Sequence, residues 1–194
     1  MVRRTDVRRI GVLGAGQLGR MLALAGLPLD LRCRFLDPAP DSPAGHLAEQ
    51  IVAPYDDADA LARLADGAEA VTYEFENVPV TVARQLAATV PVFPPPDALE
   101  TAQDRLWEKT CFRRLGIPTP LFAAVDSRDG LQVAAARIGL PAVLKTRRLG
   151  YDGKGQRVLQ TADDVDAAWA ALGGTPLILE GFARFEREVS VLAV

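Results

Sequence analysis

The chain is poor in cysteine and histidine and has no long apolar run, and each scarcity excludes something. Cys33 and Cys111 are its two cysteines. They are too few and too isolated for a disulfide framework, and no Cys/His cluster has metal-ligand spacing. A reduced, cytosolic setting is the simple expectation. His46, the single histidine, reads as an ordinary loop residue. No stretch approaches the roughly 20 apolar residues that a membrane helix requires. The basic segment 1–9 precedes a short apolar run broken by glycines, unlike a signal peptide. Positive charge is not in excess either, the formal net charge being -3. That balance argues against a nucleic-acid binder that works by neutralising phosphates, yet it leaves room for a small anionic ligand held by local Arg and Lys. Internal repeats and low-complexity tracts are absent. What is present is 194 residues, 49% hydrophobic and 24% charged, enough for one large packed domain or two small ones.

From residue 10 to 93, short apolar runs alternate with helical patterns. Residues 10–13, 32–36, 51–53, 70–73 and 90–93 read as buried strands, and 18–25, 58–64 and 80–88 carry the 3.6-residue spacing of helices. Such alternation predicts a parallel sheet covered on both faces. Pro94-Pro95-Pro96 then interrupts the pattern and sets a predicted domain boundary, giving domains 1–96 and 97–194. Thr101 and Asp104 signal the start of a helix over 104–115, with Gly116 as its stop. A strand (122–125), a helix (128–138) and a strand (142–145) follow. Beyond a glycine-rich loop (150–155) come a strand (156–159), a Thr161-capped helix to 172, a strand (177–180) and a last strand over 187–194.

Gly14-Ala15-Gly16-Gln17-Leu18-Gly19 follows the first strand and opens a helix. A GxGxxG there lets backbone N–H groups approach a phosphate at a helix N-terminus. Asp37, ending the second strand, stands where a dinucleotide fold places a ribose-binding acid, so an NAD(P) site is one reading; close helix–sheet packing is another. Thr72-Tyr73-Glu74-Phe75-Glu76-Asn77 lies at the carboxyl end of a buried strand, where parallel sheets bind ligands. Its carboxylates could hold ribose hydroxyls or an amine. Equally, the segment could be a solvated loop with Asn77 as N-cap of the next helix and Pro79 in its first turn.

The most informative stretch is Ala142-Val143-Leu144-Lys145 with Gly150-Tyr151-Asp152-Gly153-Lys154-Gly155-Gln156. An ammonium at the end of a buried strand must be paired or ligand-bound. Facing a flexible glycine loop, Lys145 can supply point charge to a phosphate while the loop closes with backbone N–H groups. This is not a Walker loop, since Lys154 is not followed by Ser or Thr. The plainer reading is a β-hairpin with a glycine turn and a solvated lysine. Downstream, Ile178-Leu179-Glu180-Gly181-Phe182 is an apolar strand ending in an acid, and Glu188 follows; upstream, Arg105 is placed to reach phosphates.

These motifs together resemble the ATP-grasp superfamily. In their order they resemble the 5-(carboxyamino)imidazole ribonucleotide synthase family of purine biosynthesis. The residues that carry the likeness are Gly14 to Gly19 with Arg20-Met21, Glu74-Phe75-Glu76-Asn77-Val78-Pro79, Gln103-Asp104-Arg105-Leu106 with Lys109, and Lys145 with Gly150 to Gln156. The match runs from the first strand to Glu188. It implies an α/β fold: a Rossmann-like parallel-sheet N-terminal domain followed by the first part of an ATP-grasp domain. It also implies a ligase that makes carboxyphosphate from ATP and bicarbonate and then carboxylates the exocyclic amine of aminoimidazole ribonucleotide.

Carried over by motif, Arg105 and Lys145 contact ATP phosphates, and Gly150, Tyr151, Asp152, Gly153, Lys154, Gly155 and Gln156 form a mobile loop. Glu180, Gly181, Phe182 and Ala183 line the adenine edge, and Glu188 binds the ribose. Gln17, Leu18 and Glu74 match positions that hold the ribonucleotide in the formate-dependent glycinamide ribonucleotide transformylase. Lys145, Tyr151, Asp152 and Lys154 are the candidate catalytic residues, the last three facing the acceptor and the carboxyl donor. The family's Mg²⁺ ligands, a Glu/Asn pair, are expected beyond Val194, with no metal ligand inside the chain. A chain ending at Val194 is therefore expected to lack synthase activity and to bind ATP weakly. The resemblance also allows a homodimer. Rival readings are the transformylase itself, whose glycine loop is typically serine-rich where this one carries Tyr151-Asp152, a non-catalytic nucleotide-binding fragment, and an NAD(P) oxidoreductase.

Overall fold

The computed structural model describes residues 8–150 and 153–191. Its contacts divide the chain into two compact units, Met1–Ala102 and Gln103–Val194.

In the first unit, strands β1 (Arg8–Leu13), β2 (Leu31–Asp37), β3 (Glu49–Val52) and β4 (Ala70–Tyr73) form a four-stranded sheet in the order β3-β2-β1-β4. Every pairing is parallel, Leu13 lying beside Leu36 on one side and Tyr73 on the other. Alternate strand residues face opposite ways, so the sheet has two apolar faces. Val12 and Phe35 pack with Ala23 of helix α1 (Gln17–Gly26). Leu13, Leu36, Ile51 and Val71 pack with Leu61 and Leu64 of α2 (Ala58–Ala65) and with Val82 and Leu86 of α3 (Val80–Ala87). Asp57 caps α2, its side chain accepting from Ala60 N at 2.8 Å.

Two sequence expectations change here. Residues 90–93 are not a strand but a single parallel bridge, Val71 to Val92. Pro91 and Pro94 flank it and cannot donate to a ladder, which confines such a segment to the sheet edge. The prolines also do not end the unit. Pro96 opens a helix, α4 (Pro96–Ala102), as its fixed φ and missing N–H allow at a first helical position. Leu99 of α4 is 1% exposed inside the first unit's core, and Arg84 of α3 binds Asp97 and Glu100. Thr101 accordingly donates back to Asp97 O within α4 rather than starting the next helix.

The second unit begins with α5 (Arg105–Arg114), capped by Asp104, whose side chain accepts from Leu106 N at 2.9 Å. Gly116, at φ +73°, follows its end. Strands β5 (Phe122–Val125), β6 (Ala142–Thr146), β7 (Gln156–Leu159) and β8 (Leu177–Gly181) form an antiparallel sheet in the order β5-β8-β6-β7. Helices α6 (Arg128–Ile138) and α7 (Asp164–Leu172) supply Leu131, Ala134, Val165 and Ala168 to one face, against Leu144, Leu159, Leu177 and Leu179. Asp163, not Thr161, is the residue at the N-cap of α7; Thr161 N instead donates to Asp164 at 2.8 Å. Residues 187–191 belong to neither sheet and are exposed, so the strand expected there is not formed over them; 192–194 lie outside the described residues. No described helix is long and apolar enough to cross a membrane.

Candidate functional site

Each unit places chemistry-bearing side chains at strand ends. In the first unit the glycine loop turns directly from β1 into α1. Gly14 has φ +93°, and a Cβ there would lie 2.6 Å from Glu74 Cγ, so only glycine fits. The loop's N–H groups are already engaged. Gly16 N donates to Glu74 Oε1 at 2.6 Å and Gly19 N donates to Oε2 of the same carboxylate. Ala15 N donates to Asp37 Oδ2 at 2.8 Å. Asp37 also accepts from Ala39 N and from the Tyr55 hydroxyl. Burial, with Asp37 adjoining, pushes the Tyr55 phenol well above its ordinary range.

The N-terminal end of α1 thus holds a resident carboxylate where a dinucleotide fold would hold a pyrophosphate. Asp37, the expected ribose ligand of that reading, is occupied by the Ala15 and Ala39 amides and the Tyr55 hydroxyl. Both groups on which the NAD(P) reading leaned are thus engaged within the protein among the described residues. Asn77 is not the N-cap of α3 either: that position is Pro79, with no side-chain cap. Glu74 instead borders a cleft of about 330 Å³ with Tyr73, Phe75, Glu76 and Pro94. Gln17 and Leu18 stand exposed on the first turn of α1, close in sequence to the amides that Glu74 holds. Replacing Glu74 by alanine should leave the Gly16 and Gly19 amides without their acceptor and cost about 1–3 kcal/mol of stability. Sulfate or phosphate should then recover part of the loss in a thermal melt, an effect expected to be much smaller in the parent chain.

In the second unit, β6 and β7 pair as an antiparallel hairpin with Lys145 beside Gln156. That much matches the plainer reading of the glycine-rich stretch. The lysine, however, is ion-paired. Lys145 Nζ lies 3.0 Å from Glu180 Oε2 on β8, and Lys109 Nζ of α5 lies 3.3 Å from the same oxygen. The Glu180 side chain is 7% exposed, those of Lys145 and Lys109 26% and 15%. Glu180 Oε1 is buried without a hydrogen-bond partner among the described residues. A buried acceptor without a donor is costly, so this atom is suited to a donor carried by a ligand.

Strand geometry explains the convergence. Lys145 pairs with Ile178 and Val143 with Glu180. Positions 143 and 145 of β6 share a face with 178 and 180 of β8, the face opposite the one that α6 and α7 cover. Helix α5 brings Lys109 to this face, and its Arg113 guanidinium lies 4.9 Å over the Phe122 ring.

The loop between β6 and β7 is tied at its root. Thr146 N donates to Gly155 O at 2.8 Å. Arg105 donates from Nη1 to Thr146 O at 2.9 Å and from Nη2 to Gly150 O. Arg147 makes a bidentate pair with Asp104 at 2.9 and 2.7 Å. Arg105 therefore grips loop carbonyls rather than standing ready for a phosphate. A cleft of about 480 Å³ at this root is lined by Thr146, Gly150, Lys154, Gly155 and Pro176. Lys145 and Glu180 do not line this cleft. Gly153, Lys154 and Gln156 are exposed and Gly155 is half-buried, while Tyr151 and Asp152 lie outside the described residues. Gly181 N is bonded to Leu121 O and Phe182 N to Pro141 O. Phe182, Ala183 and Glu188 are exposed, and the structure does not bring Glu188 into the sheet.

Neighbouring charge also acts on Glu108. Burial raises its carboxyl pKa above the ordinary 4.5, and Lys109 and Arg105 only partly offset this. A carboxyl held above its unfolded value favours the fold while protonated, and that contribution is lost as pH rises through the folded value. Glu108→Gln should therefore raise the melting temperature at pH 7, with the gain shrinking towards zero below pH of about 4. Paired melts across that range check the sign.

The comparisons bear on both units. The family described as Ribonucleotide synthetase preATP-grasp domain matches residues 7–103, half of the chain. The chain belongs to that family. The ATP-grasp domain matches residues 110–194, so the family's first domain is followed here by the beginning of an ATP-grasp fold. The N5-carboxyaminoimidazole ribonucleotide synthase of Pseudomonas aeruginosa is 57% identical over 96% of this chain and 52% of its own length. The solved N5-carboxyaminoimidazole ribonucleotide synthetase of Thermus thermophilus is 54% identical with a TM-score of 0.84, covering 92% of this chain and 48% of that one. The Aspergillus clavatus N5-carboxyaminoimidazole synthase, solved with ADP and 5-aminoimidazole ribonucleotide, is 29% identical with a TM-score of 0.82 over 93% and 48%. The chain spans about half the length of each of these three relatives.

Lys109 had a place in the sequence motif but no role. Its pairing with a residue on β8, 71 positions away (180 − 109), carries no local sequence signal.

Proposed function

We propose that the second unit binds ATP on the Lys145–Glu180 face, as part of an enzyme that carboxylates aminoimidazole ribonucleotide with bicarbonate. The observation that carries the reading is the buried Glu180 carboxylate with Lys145 at 3.0 Å and a second oxygen lacking a donor. An ammonium at a strand end can turn to a polyphosphate, and the free Oε1 can accept from an amino group such as that of adenine. The relatives' names and the bound ADP and ribonucleotide of the Aspergillus structure support the same choice.

In this reading ATP phosphorylates bicarbonate with release of ADP, and the carboxyphosphate formed gives its carboxyl group to the acceptor amine, which loses a proton as inorganic phosphate leaves. Phosphoryl transfer needs positioning and charge neutralisation more than covalent help from the protein. Lys145 supplies charge, and Arg105 sets the loop through the Thr146 and Gly150 carbonyls. Residues 150–156, with Tyr151, Asp152 and Lys154, shield a product that water would destroy. Gly181, Phe182 and Ala183 border the base, and Glu188 reaches the ribose. In the first unit Gln17, Leu18 and Glu74 receive the ribonucleotide. Mg²⁺ supplies further neutralisation when bound; no three described His, Cys, Asp or Glu side chains stand together to hold it. The reading includes a cytosolic setting and a homodimer, the latter read out by sedimentation.

ATP should raise the melting temperature of the chain and NADH should not. Protection by NADH alone would overturn the assignment. Supplied with the remaining half of the relatives' length, the chain should release ADP in a manner dependent on both bicarbonate and aminoimidazole ribonucleotide.

A further inference from the structure

Two ammonium groups share one oxygen of a buried carboxylate, and they are mounted differently. Lys145 sits on β6 beside the glycine-rich loop, and its side chain is the more exposed of the two at 26%. Lys109 sits on α5, and its side chain is 15% exposed. Its helix is fastened by the Asp104 cap, the Asp104–Arg147 pair and the stacking of Arg113 on Phe122. Arg105 cannot replace either lysine, because its guanidinium is engaged with Thr146 O and Gly150 O.

A buried carboxylate left without a cation is strongly destabilising. If Glu180 had Lys145 as its sole counter-ion, drawing that lysine to a phosphate would strand the charge. A second cation on the same oxygen removes that obstacle. The mutual repulsion of the two ammoniums also weakens the hold on whichever is freer to move.

We propose that Lys109 is a positioning residue that frees Lys145 for a polyanionic ligand by remaining on Glu180 as its counter-ion. This rests on the reading that Lys145 serves a nucleotide phosphate, and it adds the residue that makes such service compatible with a buried Glu180. Lys109 touches no reacting atom; it acts through Glu180.

The consequence is a defect that a second substitution cures. In Lys109→Met, Lys145 becomes the only partner of Glu180 and stays there. The binding-competent fraction falls, and the apparent dissociation constant for ATP rises in proportion, by about tenfold or more. In Lys109→Met/Glu180→Gln no carboxylate remains to retain Lys145. ATP affinity should then return to within about threefold of Glu180→Gln alone. Lys109→Arg keeps the cation and should bind ATP within about threefold of the parent chain. If Lys109 merely supports packing, Glu180→Gln will not rescue the loss.

A ligand-free measurement separates this from the nucleotide reading. Competitive acetylation followed by mass spectrometry reports the reactivity of each lysine. Without Lys109 beside it, Lys145 is the single cation on Glu180 Oε2 and is held there, so its acetylation should slow about three- to tenfold in Lys109→Met. It should recover in the double variant. Unchanged Lys145 reactivity in Lys109→Met, with the fold intact by circular dichroism, overturns the coupling. Should Lys109→Met not fold, the parent chain decides: saturating ATP should shield Lys145 and leave Lys109 as protected as before, and exposure of Lys109 on ATP binding overturns the proposal. Failure of the parent chain to bind ATP while the acetylation pattern holds removes the nucleotide assignment and leaves the Lys109–Glu180–Lys145 coupling standing.

Discussion

Lys145→Met should lower ATP affinity by about 30- to 100-fold, equivalent to one charge-assisted contact of about 2–3 kcal/mol. The ligand-free chain should hardly notice the change. Lys109 stays 3.3 Å from Glu180 Oε2, so the buried carboxylate keeps a partner, and a long side chain that is 26% exposed gives up little packing. The expected cost to stability is below about 1 kcal/mol. This separation is the diagnostic part. A lysine present only to neutralise Glu180 would lose stability and spare ATP. Isothermal titration with ATP and a thermal melt, run on the same preparation, distinguish the two.

Glu180→Ala, by contrast, should act first on stability. The substitution leaves Lys145 and Lys109 facing each other without their shared acceptor, in a site where Lys109 is largely buried. Breaking a buried pair by removing one partner typically costs about 3–5 kcal/mol. For a unit of this size that is a fall of more than about 10 °C in melting temperature. Glu180→Gln should cost clearly less, since its amide oxygen still accepts from one ammonium. High salt should not restore the alanine variant, because screening reaches buried charges poorly. Melts in about 0.1 M and about 1 M salt test that expectation.

Much of the fold was legible because its strongest signals are local. The strands at 70–73, 122–125 and 156–159 and the helix at 128–138 were expected with the bounds observed, since apolar runs and 3.6-residue spacing are read within a few residues. The errors have a common physical origin in proline and in missing neighbours. Residues 90–93 are apolar enough for a strand, but Pro91 and Pro94 leave them a single bridge. Pro94 to Pro96 look like a break, yet Pro96 starts α4, because what decides is the burial of Leu99 against a core made elsewhere. The segment 187–191 has a strand's composition and no partner to pair with among the described residues.

The candidate site was legible in part. Lys145 and Glu180 stood out singly as charges at the ends of apolar strands. Their pairing depends on the β8–β6 register, which no local pattern states. The GxGxxG loop shows the opposite failure: the motif suggested a place for a phosphate, and the fold filled it with Glu74. Arg105 has the right type and neighbourhood, but its hydrogen bonds go to the loop it precedes.

The central claim is that Lys145 leaves Glu180 to hold a nucleoside triphosphate. A crystal structure with a non-hydrolysable ATP analogue tests it most directly. The account predicts phosphate oxygens within hydrogen-bond distance of Lys145 Nζ, with Lys109 still on Glu180. An analogue seated at the Gly16 and Gly19 amides, or Lys145 still bound to Glu180 beside an ordered triphosphate, would contradict it.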